Sequence, residues 1–236
     1  AMPEFETMSH FTALVGNADI ELVIRANDAC NRLGLDTIST ASVLACRREI
    51  TGADYTPDSL LGLINDIACQ RGEGRELGMG SVDYARKKGR PESAMAVKKL
   101  DLPAYDPRGA YGMALGYALS TRGGCHLRAY PISHEILRKP VATDRFSFSG
   151  KARIIKITED LNAVVDSLTA CKFTFFAAGL EEYALAYEGA TGIRATAQDL
   201  LAVGERIYYN ERIINSVNGF GAEDDDLPGR FFTREG

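Results

Sequence analysis

Apolar residues recur at helical spacing through most of the chain, punctuated by polar caps and glycines. Asp19 opens a stretch with Ile24, Ala29 and Cys30 at helical positions, and Gly34 closes it, which predicts a helix between an N-cap and a left-handed terminal residue. The turn Asn31-Arg32-Leu33-Gly34-Leu35-Asp36-Thr37 leads into a second helix from Ser39 to Glu49. Thr56-Pro57-Asp58 pairs a cap with a first-turn proline, and Leu60, Leu61, Leu63, Ile64 and Ile67 give the third helix a broad apolar face. Further helices are predicted over 83–88, 110–120, 134–138, 158–165, 180–187 and 198–215, the last capped by Thr196. Gly112, Ala114, Gly116 and Ala118 predict close backbone packing for 110–120. Residues 3–7 read as extended or loop, and 72–80 and 102–109 as glycine- and proline-marked breaks. Only Ala152-Arg153-Ile154-Ile155-Lys156-Ile157 alternates in the manner of a strand, and no repeat of 20–50 residues is visible. The pattern predicts an all-α, mostly helical protein.

Composition narrows the function. A chain of 236 residues with 45% hydrophobic residues can build its core without disulfides or other staples. Its net charge of -5 argues against nucleic acid as main partner, since phosphate binding wants a basic face. No apolar run approaches the roughly 20 residues of a membrane span, and Ala1-Met2 opens no signal-peptide pattern. Five cysteines, at 30, 46, 69, 125 and 171, form no Cys-x-x-Cys pair, so neither a zinc site nor a disulfide framework is signalled. Free thiols of this kind fit a reducing cytoplasm, which is the expected location.

The chemistry concentrates between Val164 and Phe173, where Asp166 and Lys172 flank Cys171 in an otherwise apolar run. Charges beside a thiol expected to be buried need partners, which a bound ligand or a metal cluster would supply. The alternative is a core cysteine with Asp166 capping a helix. Asn31 to Thr37 and Asp166 to Lys172 echo one another: each has a polar residue, leucine two later and a ligand or acceptor type five later. Two similar helix ends gripping two similar halves of one ligand would produce this echo. The other four cysteines read as buried small hydrophobes, His10 and His134 as structural, and Arg122 and Arg128 as ion-pair or packing residues or contacts for an anionic phosphate. Taken alone, Glu6 is a solvated carboxylate and His126 a capping or core histidine as readily as a functional one.

These motifs, in order, resemble the aldehyde ferredoxin oxidoreductases, the tungsten-dependent enzymes. The resemblance runs through Gly34-Leu35-Asp36-Thr37-Ile38-Ser39, Pro103-x-Tyr105-Asp106-Pro107-Arg108-Gly109 and Arg122-Gly123-x-Cys125-His126-Leu127-Arg128. It continues through Asp166-Ser167-Leu168 to Cys171-Lys172-Phe173, then Glu205-Arg206-Ile207, Glu211-Arg212 and Asp225-Asp226-Leu227-Pro228-x-Arg230-Phe231. It implies the two helical C-terminal domains of that fold, cut at both ends, over 1–110 and 111–236. The family's β-rich N-terminal domain and its Cys-x-x-Cys-x-x-x-Cys segment have no counterpart here.

By resemblance, Glu6 and His126 are the acid–base groups near the metal. Asn31, Gly34, Leu35, Asp36, Asp166 and Lys172 bind the pterin, and Cys171 is the fourth ligand of a [4Fe-4S] cluster. Asn31 stands where the family has Asp, and Thr169-Ala170 where it has Gly-Leu. The complete enzyme implied carries tungstopterin or molybdopterin with the cluster, oxidises a small aldehyde to the acid and passes electrons to ferredoxin; the isolated chain is expected to hold no cofactor and to be inactive. Its partners would be the pterin-binding domain or a separate subunit, with a homodimer a further candidate. The alternative is a non-catalytic helical remnant, or a split-enzyme subunit, serving assembly or protein interaction.

Overall fold

The computed structural model describes residues 2–139 and 141–233. Ala1 and Gly236, the outer limits expected for the two domains, lie outside them. The chain divides into two compact units, residues 1–105 with 227–236, and residues 106–226.

In the first unit α1 (Phe5–Ser9) runs directly into a π-helical turn over His10–Leu14. The expected loop at 3–7 is therefore helical from Phe5, because Glu6 and Thr7 are buried and bonded within the fold instead of solvated. α2 (Ile20–Leu33) starts at Asp19, whose carboxylate accepts from the Glu21 amide, and stops at Gly34 with φ 72°. Only glycine holds that left-handed conformation without strain. α3 (Thr37–Thr51) is capped by Asp36, and α4 (Pro57–Cys69) by a reciprocal Thr56–Ser59 capping box. α5 (Gly74–Leu77) interrupts the break expected over 72–80, and α6 (Ser81–Lys87) falls at the helix predicted over 83–88. A two-residue antiparallel ladder that sequence periodicity is too short to reveal, β1 (Ala96–Val97) with β2 (Leu100–Asp101), turns through Lys98 and Lys99 at φ 46° and 65°. Phe11, Val23, Ala26, Cys30, Leu44, Leu60, Ile64 and Tyr84 form the core where α2 packs on α4 and α3 on α6. Arg230 returns to this unit and donates to Glu49 (2.9 Å).

The second unit holds α7 (Tyr111–Leu119), α8 (Ile132–Glu135), α9 (Lys151–Ser167), α10 (Leu180–Thr191) and α11 (Ala197–Val217). The strand-like run 152–157 lies in the first half of α9, a correction with a plain cause. Ile155 packs inward while Arg153 and Ile157 face solvent, so the apparent alternation is a helix face sampled over too few residues. α9 packs along α11 and α7, with Val164, Val165, Tyr183, Ala184 and Leu200 in a core cluster. At the α9–α11 crossing, a Cβ on Gly204 would sit 2.1 Å from the Asp160 carbonyl oxygen, so the helices approach as they do only because residue 204 has no side chain. No described helix is long and apolar enough to cross a membrane.

Candidate functional site

The predicted site residues divide between the units, and each group is built locally. In the first unit Glu6 is 4% exposed, on the inward face of α1. Its Oε2 accepts from the Ala104 amide (2.9 Å), while Oε1 is buried with no hydrogen-bond partner. His10 follows at i+4, 1% exposed, with Nδ1 donating to the Glu6 carbonyl (2.7 Å) and lying 3.5 Å from Oε2. Thr7 next to Glu6 shares a hydroxyl hydrogen bond (2.9 Å) with Thr37 next to Asp36, which fastens α1 to the N-terminus of α3.

The Asn31–Asp36 turn is occupied by its own architecture. Asn31 Nδ2 donates to the Asn27 carbonyl (2.7 Å), the Leu35 amide donates to the Cys30 carbonyl (2.9 Å), and Asp36 Oδ2 accepts from the Ser39 amide (2.7 Å).

The second unit repeats this geometry at the end of α9. Thr169 takes the place of Gly34 and is left-handed too, at φ 54°. The Ala170 amide reaches back five residues to the Val165 carbonyl (3.1 Å), as Leu35 does to Cys30. The echo in sequence is thus an echo in backbone. Here three cations converge on Asp166: Arg122 Nη2 (2.7 Å) and Arg128 Nη1 (2.9 Å) on Oδ2, and Lys172 Nζ (2.9 Å) on Oδ1. Lys172 also donates to the Asn162 carbonyl (3.1 Å); burial holds its ammonium below the usual lysine range, with the Asp166 carboxylate acting against the shift.

Arg128 is 1% exposed and links Asp166 to Glu211 on α11, which also accepts from Thr121 Oγ1 (2.6 Å). Behind it Tyr208 donates to Glu159 Oε1 (2.8 Å), and burial pushes the Glu159 carboxyl up to about 7. Sequence reasoning placed Arg122 and Arg128 among ion-pair residues but missed Glu211, Tyr208 and Glu159 as their supports. The only signal was their spacing along α11 and α9, which a polar face explains equally well.

Cys171 is exposed, contrary to the expected burial, because the turn after α9 carries it outward. Cys69 is exposed and Cys125 half-buried, so of the four cysteines read as core residues only Cys30 and Cys46 are. Their thiols are pushed up to about 11 and about 12 by burial. His126 is half-buried, its ring 6.1 Å from that of Tyr130, which packs edge-on against Phe176. Leu127, Tyr130, Asn162, Lys172 and Phe173 line a shallow depression beside it.

Among the described residues no three His, Cys, Asp or Glu side chains converge to hold a metal ion. Cys171 offers one thiolate of the four that a [4Fe-4S] cluster takes. Taken unit by unit, the first holds a buried carboxylate oxygen with an open lone pair, the second an exposed thiol, and each has one of the two matched helix ends.

The comparisons place these helical units in an oxidoreductase family. The family model described as aldehyde ferredoxin oxidoreductase, domains 2 & 3, matches residues 1–236, and the chain belongs to that family. It is 41% identical over 246 residues to the tungsten-containing aldehyde ferredoxin oxidoreductase of Pyrococcus furiosus, covering 97% of this chain and 41% of that protein. The enzyme of the same description from Thermococcus kodakarensis is 39% identical, with the same coverage of both chains. This chain therefore spans about two-fifths of these relatives. Its fold is also similar to the active site complex BamBC of benzoyl coenzyme A reductase bound to 1,5-dienoyl-CoA. That likeness has a TM-score of 0.71 at 15% identity and covers 98% of this chain and 43% of the other.

Proposed function

We propose that this chain forms the C-terminal share of a tungsten-dependent enzyme that oxidises an aldehyde to a carboxylic acid and delivers the electrons to ferredoxin. The observation that carries the reading is Glu6, a buried carboxylate with one oxygen unpaired, at the position the family resemblance marks as acid–base. An orphaned buried acceptor costs about 1–3 kcal/mol, a cost a fold retains where the atom has work to do.

The reaction sets the requirements. An aldehyde and a water become an acid, two electrons and two protons. When bound, the tungstopterin and [4Fe-4S] cluster supply the electron acceptor and the onward path. The chain's own residues handle the rest. Glu6 takes up a proton at Oε1, and His126, with aromatic neighbours on one side, relays a second. Asp36 and Asp166, each at a rigid helix end, hold the pterin, and Lys172 steadies Asp166. Cys171 provides one cluster thiolate, with the other three from the part of the enzyme beyond this chain.

The test is made in the complete enzyme. Glu6→Gln and His126→Gln should each lower turnover by about 10²–10⁴-fold with tungsten and iron contents unchanged, the range expected for a lost general acid or base. Near-normal turnover in both, with metals intact, would refute the acid–base assignment.

A further inference from the structure

The Glu6 carboxylate is asymmetric in its surroundings, and that asymmetry has an evident source. Its Oε2 is held by the Ala104 amide (2.9 Å) and approached by His10 Nδ1 (3.5 Å); its Oε1 has neither. The terminal torsion of a glutamate is broad and nearly two-fold, so nothing intrinsic distinguishes the two oxygens. The surroundings must do so. His10 sits where α1 gives way to the π-helical turn, a kind of irregularity frequent at functional sites. Its Nδ1 faces the Glu6 backbone carbonyl at 2.7 Å, and a carbonyl only accepts, so Nδ1 carries a hydrogen that it donates to that carbonyl, with the Glu6 Oε2 a further 3.5 Å neighbour. Its Nε2 lies 3.4 Å from the Leu102 carbonyl. The segment 102–105 is strapped to α1 at two points: Glu6 to Ala104, and Phe5 stacked on Tyr105 with centroids 5.7 Å apart.

We propose that His10 is a positioning residue for Glu6. With the Ala104 amide it pins the carboxylate by the Oε2 edge and leaves Oε1 as the oxygen that exchanges protons. The proposal rests on the reading of Glu6 as an acid–base group. His10 is fully enclosed and touches the reaction only through Glu6.

Two measurements test it. The first needs only this chain: ring-nitrogen NMR, which three histidines keep simple. His10 Nδ1 should be protonated, and Glu6→Gln should move the His10 signals while leaving those of His134, bonded to the Val141 carbonyl, in place. An unprotonated Nδ1, or His10 signals indifferent to Glu6→Gln, would overturn the proposal. The second is turnover of the complete enzyme. His10→Leu should lower kcat about 10–100-fold with little change in KM, the usual effect of losing a residue that orients a working group.

His10→Asn, which returns an N–H to the Nδ1 position, should recover most of that loss. His10→Gln, whose N–H points toward Leu102, should not, and this pair decides the matter if the leucine variant fails to fold. In a Glu6→Gln background His10→Leu should add nothing. Loss in Glu6→Gln with none in His10→Leu would overturn the proposal alone. Unchanged turnover in Glu6→Gln would overturn the acid–base reading and the proposal with it.

Discussion

Thr169 carries a backbone conformation that its side chain disfavours. At φ 54° it occupies the left-handed region that Gly34 fills at no cost in the matching turn. The left-handed conformation costs a non-glycine residue about 1–2 kcal/mol. Thr169→Gly should therefore raise the stability of the second unit by about 0.5–1 kcal/mol, and Gly34→Ala should lower that of the first by about 1 kcal/mol. Thermal unfolding of the two variants checks both, and a loss of stability in Thr169→Gly would mean the threonine hydroxyl, which donates to the Leu168 carbonyl, outweighs the strain. The burial of Glu6 was not legible in the sequence. A carboxylate in the short stretch from Pro3 to Thr7 carries no local mark of burial. Cys171 misled in the other direction, because its apolar neighbours predict a core position while the turn after α9 turns its side of the chain to solvent.

At the scale of elements, α9 and α11 are joined at both ends of their contact, by the absence of a side chain at Gly204 and by the buried guanidinium of Arg128. Arg128 holds Asp166 on α9 and Glu211 on α11 together. Arg128→Met removes the charge from two half-buried carboxylates, of which Asp166 keeps Arg122 and Lys172, so it should destabilise by about 1–3 kcal/mol. Arg128→Lys, which keeps a charge but loses the fork, should cost less. Denaturant unfolding gives both values, and equal costs would mean that packing volume rather than the ion pairs holds the crossing. Helix caps were the most legible feature of the sequence, since Asp19, Thr56 and Thr196 each start a helix with the side-chain bond their type predicts, whereas the cap at Asp36 emerged only in the fold. The α9 start was not legible. Lys151 begins that helix as a buried ammonium paired with Glu135, a tertiary contact that local periodicity does not register.

Across the whole molecule, each unit buries a carboxyl that its enclosure raises far above its ordinary range. Asp101 in the first and Glu159 in the second are each pushed up to about 7 by burial, from ordinary values of 3.8 and 4.5. A folded-state value above the unfolded one means the folded protein binds a proton that the unfolded chain has released. Both groups therefore add stability below about pH 4, lose it progressively as pH rises through 7, and change nothing above. Between pH 8 and 5 the melting temperature should rise on acidification, and Asp101→Asn with Glu159→Gln should flatten that slope. A slope unchanged in the double variant would show that other groups set it.

The order of the motifs along the chain made the family legible in the sequence. The roles of Glu211, Tyr208 and Glu159 as supports emerged only in the tertiary structure. The central claim is that this chain completes a redox site whose remaining ligands lie elsewhere in the enzyme. Iron analysis and redox titration of the complete enzyme, with and without Cys171→Ala, test it most directly. The account predicts lost iron or a shifted cluster potential in the variant, with the unfolding of the isolated chain nearly unchanged because Cys171 is exposed. Full iron content with an unaltered potential would contradict it.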